Sequence, residues 1–163
     1  MTTNYRATSA LTWTLASLAT SSGLTVGRCS AAYDNGTNKD DGLGVSALIT
    51  TGTTPTAGSI EVWAFAQRAD ATWPELFTAA YTGADGGFTI NTRDALRAGA
   101  VPVGAVINDA TSNRNYVIRL RDVAAQFGFA PKQFALFGVH STVAALHATA
   151  GNHAGVVHPV NFT

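Results

Sequence analysis

Residues 58–68 read GSIEVWAFAQR, and their alternation decides the fold class. In an extended strand successive side chains point to opposite faces, so Ile60, Val62, Ala64 and Ala66 share one side while Glu61, Trp63, Phe65 and Gln67 share the other. Both sides carry apolar bulk. Residues 112–121, SNRNYVIRLR, repeat the logic: Tyr116, Ile118 and Leu120 form one face, with Val117, Arg119 and Arg121 opposite, so this strand is expected to have one solvated or interfacial side. Arg119 and Arg121 mark the outside.

Working outward, further strands are expected at 11–15, 26–33, 44–50, 98–106, 133–140, 144–148 and 155–162. Short runs of this kind at close spacing indicate an all-β sandwich or barrel. The connectors carry matching turn chemistry, as in Asp34-Asn35-Gly36, Asp40-Asp41-Gly42, Asp85-Gly86-Gly87 and Ala150-Gly151-Asn152. Residues 92–98 and 120–127 are expected as short helical turns, the second ending at Gly128. There is no internal repeat and no linker-like tract. We expect a single antiparallel β-sandwich over residues 11–163. Residues 1–10, rich in Thr, Asn and Ser around Tyr5 and Arg6, are expected as an N-terminal arm, either frayed or ordered against a partner.

The chain has 163 residues, 46% of them hydrophobic and only 12% charged, which is ample for one core and far from the composition of disordered chains. Ten basic residues balance ten acidic ones, so the electrostatic footprint of nucleic-acid or anionic-membrane binding is missing, and neither partner is expected. Lys39 and Lys132 are the only lysines. A surface so poor in charge, and rich in Thr, Ser, Ala and Asn, suits packing against neighbours; a neutral, monomeric sandwich is the plain alternative. Cys29 is the only cysteine, which rules out an intrachain disulfide and a cysteine metal cage. No basic segment leads into an apolar run near Met1, and no stretch reaches the roughly 18 apolar residues of a membrane span, so synthesis in a cytoplasm without self-export is expected.

The residues that carry chemistry fall into no catalytic pattern. His140, His147, His153 and His158 lie late in the chain, with no Asp or Glu after Asp122 to complete a ligand set. Asp34, Asn35, Asn38, Asp40 and Asp41 gather oxygen atoms in one loop but lack the spacing of a twelve-residue calcium loop. Glu61 and Glu75 are the only glutamates; an Asp in place of either keeps a glycosidase pair open, though nothing in the spacing favours it. Cys29 sits inside an expected strand, where a small buried hydrophobe is the common role. There is neither a Gly-x-Ser-x-Gly elbow nor a phosphate-cradling loop. No enzymatic activity, no metal and no cofactor is expected. Trp63 and Trp73 read either as core or as a sugar-stacking platform.

The order of the runs LTWTLASLATSSGLTVGRCSAAYDN (11–35), DDGLGVSALITTGTTPTAGSIEVWAFAQ (40–67) and APKQFALFGVHSTVAALHATAGN (130–152) resembles the capsid decoration, or cement, proteins of tailed bacteriophages. That resemblance implies a jelly-roll-type sandwich on the outer surface of a virion, often trimeric, which binds the major capsid protein and its own copies and so stabilises the shell. It supplies no contact motif. On physical grounds the candidate partner-binding residues are Asn4, Tyr5 and Arg6 in the arm, Trp73, Pro74 and Phe77 in the aromatic loop, and Arg119 and Arg121, because exposed aromatics and arginines make efficient anchors. For Trp73 and Phe77 the alternative is a loop folded back on its own sheet. A carbohydrate- or receptor-binding module of a fibre or lectin type is the second functional expectation.

Overall fold

A computed structural model describes residues 2–163; Met1, the first residue of the expected arm, lies outside the described residues. The elements in chain order are β1 (Thr3–Tyr5), β2 (Ser9–Ala10), β3 (Val26–Cys29), β4 (Tyr33–Asp34), β5 (Gly42–Thr50), β6 (Gly58–Ala66), β7 (Gly86–Thr89), α1 (Arg93–Gly99), β8 (Val101–Asn108), β9 (Asn115–Asp122), α2 (Val123–Phe127), β10 (Gln133–His140) and β11 (Ala154–Phe162). Every pairing is antiparallel.

The strands form two sheets. The first runs β1-β11-β5-β9, with β2 also on β11; the second runs β7-β3-β10-β6-β8, with β4 also on β10. β1 and β2 form one interrupted strand, since Tyr5 faces Val160, Arg6 N donates to Pro159 O and Ser9 faces Val157. β3 and β4 are likewise one strand along β10, joined by the Ser30 N to Leu136 O bond. Eight strands remain once β7 is set aside. Numbered along the chain, they lie in the orders first-eighth-third-sixth and second-seventh-fourth-fifth, which is the jelly roll.

The core between the sheets is built from alternate positions. Leu43, Val45, Ala47 and Ile49 of β5 meet Ile60, Val62 and Ala64 of β6, with Phe134 and Leu136 of β10 beside them. Trp13 lies between Gly138 of β10 and Gly155 of β11 and donates its indole N–H to Arg28 O. A Cβ on Gly138 would overlap the indole, so glycine is what admits the ring there, and one on Gly155 would stand 3.0 Å from it, a tight contact.

The opposite face of the second sheet has a core of its own. Trp63 and Phe65 point outward there with Ala135, Phe137 and Val139, and residues 67–100 fold over them. Leu76, Phe77, Tyr81, Ile90 and Leu96 supply the cover. Phe65 stacks edge-on against Trp73, Phe77 and Tyr81 at centroid distances of 5.6, 5.3 and 5.0 Å. The two apolar faces of the 58–68 segment thus serve two separate cores. Helix α1, which closes the cover, starts at Thr92, whose Oγ1 accepts the Ala95 N–H.

Several expected elements are corrected. Residues 11–15 are not a strand, because the backbone turns so that Trp13 and Leu15 enter the core from the end of the sandwich. Residues 144–148 are not a strand either: Val143 has φ +65°, and only Leu146 bridges to Thr51. The strand expected at 98–106 begins at Val101, since α1 holds the chain through Gly99. The second helix begins at Val123, capped by Asp122, and ends at Gly128 with φ +76°. Asp85-Gly86-Gly87, expected as a turn, leads into β7, where Gly86 and Gly87 pair with Cys29 and Arg28 of β3.

In β9 a bulge changes which way the side chains point. Val45 faces Arg121 and Ala47 faces Ile118, so Arg119 and Leu120 together oppose Ser46. Leu120 therefore leaves the core side, where simple alternation put it, and lies 58% exposed over Gly44 on the outer face.

Candidate functional site

The arm is spoken for within the chain. Residues 3–10 lie along β11 as an edge strand, and Thr2 and Thr163 exchange backbone hydrogen bonds. Asn4 donates to Thr163 Oγ1. Arg6 reaches Asp40 at 3.1 Å and Asn38 at 3.0 Å. Tyr5 alone of the three projects freely, at 83% exposure.

The oxygen-rich loop at 34–41 is organised around that arginine. Asp40 is buried; its carboxylate accepts from Arg6 and from the Tyr33 hydroxyl, while Asn35 ties the Asp40 backbone through both its N–H and its carbonyl. Asp41 accepts the Phe162 N–H, so the loop fastens the first and last strands of the sheet. The guanidinium supplies the positive charge that a cation would bring.

The aromatic loop folds back on its own sheet. Phe77 is only 6% exposed inside the second core, and Trp73 makes edge contacts with Phe65 and Tyr81 while Pro74 sits against the helix end near Gly99. Phe77 is thus a core residue and not a surface anchor. Beside the loop is an open depression of about 600 Å³ lined by Trp73, Pro74, Glu75, Tyr81 and Asn91. Trp63 is half-buried; its indole N–H donates to Glu61, and the Arg93 guanidinium, paired with Glu61 at 2.8 Å, lies 5.6 Å from its ring centroid. Arg119 and Arg121 are exposed on β9, at the free edge of the first sheet.

His140, His153 and Cys29 are engaged inside the fold. His140 is buried between Thr142 Oγ1 and Leu18 O, and His153 bonds His147 O; burial pushes the pKa of both below the ordinary histidine value despite the hydrogen bonds that oppose it. Burial likewise drives the Cys29 thiol far up, with the charge of Asp85 adding to it, so the thiol is held protonated. Among the described residues no group of three or more His, Cys, Asp or Glu is arranged to hold a metal ion. No helix among them is long and apolar enough to cross a membrane.

What the sequence reading missed is a surface. The register of the first sheet turns alternate residues outward: Val156, His158 and Val160 of β11 stand beside Ser46, Gly44 and Gly42 of β5. Across the sheet Leu48 faces Val117, 61% exposed, and at the other end Tyr5 flanks Val160 while Phe162 faces Thr3. Leu120 completes the row beside Gly44. At the centre Ser46 Oγ and His158 Nε2 are 3.0 Å apart and satisfy each other. None of these residues is charged; the charges on the same face stand at its β9 margin, where Arg119 shares the bulge opposite Ser46 and Asp122 faces Gly44 with its carboxylate near Gly42. Among the described residues nothing covers this face, whereas the second sheet carries residues 67–100. The strand signal in 155–162 was readable, but which of its alternating sets would be left uncovered was not, because both sets contain valine.

No family model, no curated protein and no solved structure matches this chain.

Proposed function

We propose that the chain is a non-enzymatic structural subunit that works by burying surface against neighbouring proteins, and that its place is the outer surface of a phage capsid, where it bridges capsid subunits and stabilises the shell. The observation that carries the reading is the uncovered face of the first sheet, apolar across its centre and charged only at the β9 margin. Large apolar patches on soluble domains mark interaction sites, because leaving them in water forgoes roughly 25 cal/mol for each Å² that contact would remove. The jelly-roll order supports the capsid setting, since that fold recurs in viral capsid and lectin domains. Fold alone does not assign function, so the face and not the topology bears the weight. Mechanism in such a protein is the free energy of many repeated contacts on a symmetric shell.

The test uses heads that lack the protein. Purified chain should bind them and raise the temperature at which they release their contents. Heads that fail to bind it, together with complete particles no more heat-resistant than deficient ones, would overturn the assignment.

A second reading is favoured by the depression beside Trp73, whose apolar wall and neighbouring Glu75 and Asn91 are the ingredients of a sugar site in a fibre- or lectin-type module. Saturable binding on a glycan array, abolished by Trp73→Ala, would support it in place of the capsid reading; a silent array with tight head binding would retire it.

A further inference from the structure

We infer that the outer face of the first sheet is covered by the same face of a second copy, in a two-fold, sheet-on-sheet pair. This rests on the reading of that face as a protein-docking surface and names its occupant.

Three observations select a second copy. The first is charge. In a two-fold contact each residue near the axis meets its own counterpart, so a face with acidic or basic groups repels itself. Here the row from Tyr5 and Val160 through Val156 and Leu48 to Val117 is neutral, its central Ser46 Oγ and His158 Nε2 are hydrogen-bonded to each other, and the charged Arg119 and Asp122 stand at the β9 margin away from the centre. A face with a neutral, apolar centre does not repel its own copy across a two-fold axis and demands no charged partner.

The second is area. β5 and β11 each have nine residues, which at about 3.4 Å per residue is roughly 30 Å. Four strands about 4.8 Å apart span roughly 19 Å, so the face measures on the order of 570 Å². Pairing two such faces removes on the order of 1,100 Å², above the roughly 1,000 Å² floor of biological interfaces and at the size of weak, reversible pairs.

The third is that the edges are poor alternatives. β8 carries Pro102 and a bulge opposite Val62 and Trp63; β9 carries Arg119, Arg121 and its own bulge; the β1–β2 edge is interrupted between Tyr5 and Ser9, and β7 has four residues. Proline, inserted residues, charge and shortness are the devices that discourage strand addition. With the edges blunted, the flat face is the surface left for association, and a second sheet about 10 Å above it is the sandwich solution the molecule already uses once.

The experiment is sedimentation equilibrium of the purified chain with three variants. Wild type should sediment at twice 16.9 kDa at micromolar to tens of micromolar concentration. Val156→Glu, which sets two carboxylates against each other at the centre, should weaken the pair at least a hundredfold. Val117→Glu, at a position already 61% exposed and so without cost to folding, should weaken it about tenfold or more. Ile107→Glu, exposed on the outer side of the second sheet, should leave the pair intact. A wild type that stays monomeric at 100 µM, a trimer, or a pair that survives both Val156→Glu and Val117→Glu with native circular dichroism would overturn the inference. Binding of the same variants to deficient heads separates the two failures. A monomeric wild type whose head binding is lost in Val156→Glu sinks the second copy alone, whereas head binding and self-association both indifferent to Val156→Glu sink the docking reading as well.

Discussion

The two sheets of this sandwich face the same physical problem and meet it differently. Each has a core side and an outer side, and on each the outer side is apolar. On the second sheet Trp63, Phe65, Phe137 and Val139 are covered by residues 67–100, which bring Phe77, Tyr81 and Leu96. On the first, Val117, Leu120, Tyr5 and Phe162 remain in contact with solvent. The difference is one of chain economy: a long excursion between β6 and β8 is available to one face, while the strands of the other are joined around the ends of the sandwich. An apolar sheet face left in water forgoes the free energy that a covering layer would bring. The chain supplies that layer once; in the proposed two-fold pair a neighbouring copy supplies the second.

The largest loss of stability is expected at the covered face. Phe65→Ala removes the ring that Trp73, Phe77 and Tyr81 pack against, and should cost about 3–5 kcal/mol in denaturant unfolding. A loss below about 1 kcal/mol would mean that the cover is not a second core.

The clamp that holds the cover should matter next. Asp85, just before β7, accepts from Arg28 at 2.8 and 3.1 Å and from Thr14. Burial alone would raise its pKa, but the Arg28 and Thr14 hydrogen bonds, with the Arg28 charge, outweigh it and leave the carboxyl below the usual range. Because the folded pKa is depressed, the stabilisation is present above the unfolded value near ~3.9 and is lost as pH falls through the folded pKa. Asp85→Asn should therefore cost about 1–3 kcal/mol at neutral pH. Its unfolding curve should converge on that of wild type as the pH drops below about 4. A gap that stays constant across this window would show that the carboxylate's ionisation is not what holds the clamp.

Smaller still, Thr92→Ala deletes the N-cap of α1 and should lower stability by about 1 kcal/mol, with Thr92→Ser recovering most of it. At the uncovered face Leu120→Ser should change the stability of the dilute, unassociated chain by less than about 0.5 kcal/mol, because Leu120 is already largely in water. If Leu120→Ser proved as damaging as Phe65→Ala in the dilute chain, the contrast between the two faces would disappear.

Much of the fold was legible in the residues themselves. The run at 133–140 is β10 residue for residue, and the two-sided alternation of 58–66 anticipated a strand apolar on both faces. Segments that read as strands and are not, 11–15 and 144–148, have the right composition, but their side chains are wanted at the end of the barrel-like core, so tertiary contacts overrode local preference. β7 escaped notice for the converse reason: Gly86 and Gly87 have low strand propensity, and only the edge of β3 makes them extended. Of the candidate surface residues, Tyr5, Arg119 and Arg121 project outward, while Arg6 and Phe77 are engaged internally by Asp40 and by the second core.

Periodicity and turn chemistry, which act over a few neighbouring residues, by themselves determined that the chain is an antiparallel sandwich with short helices and where its principal strands lie. Tertiary structure alone decided which apolar face would be roofed by residues 67–100 and which would not, that a single inserted residue in β9 sends Leu120 outward, and that Arg6 closes the acidic loop. Those outcomes depend on which strands become neighbours, and pairing between residues as distant as Tyr5 and Val160 is written in no local pattern.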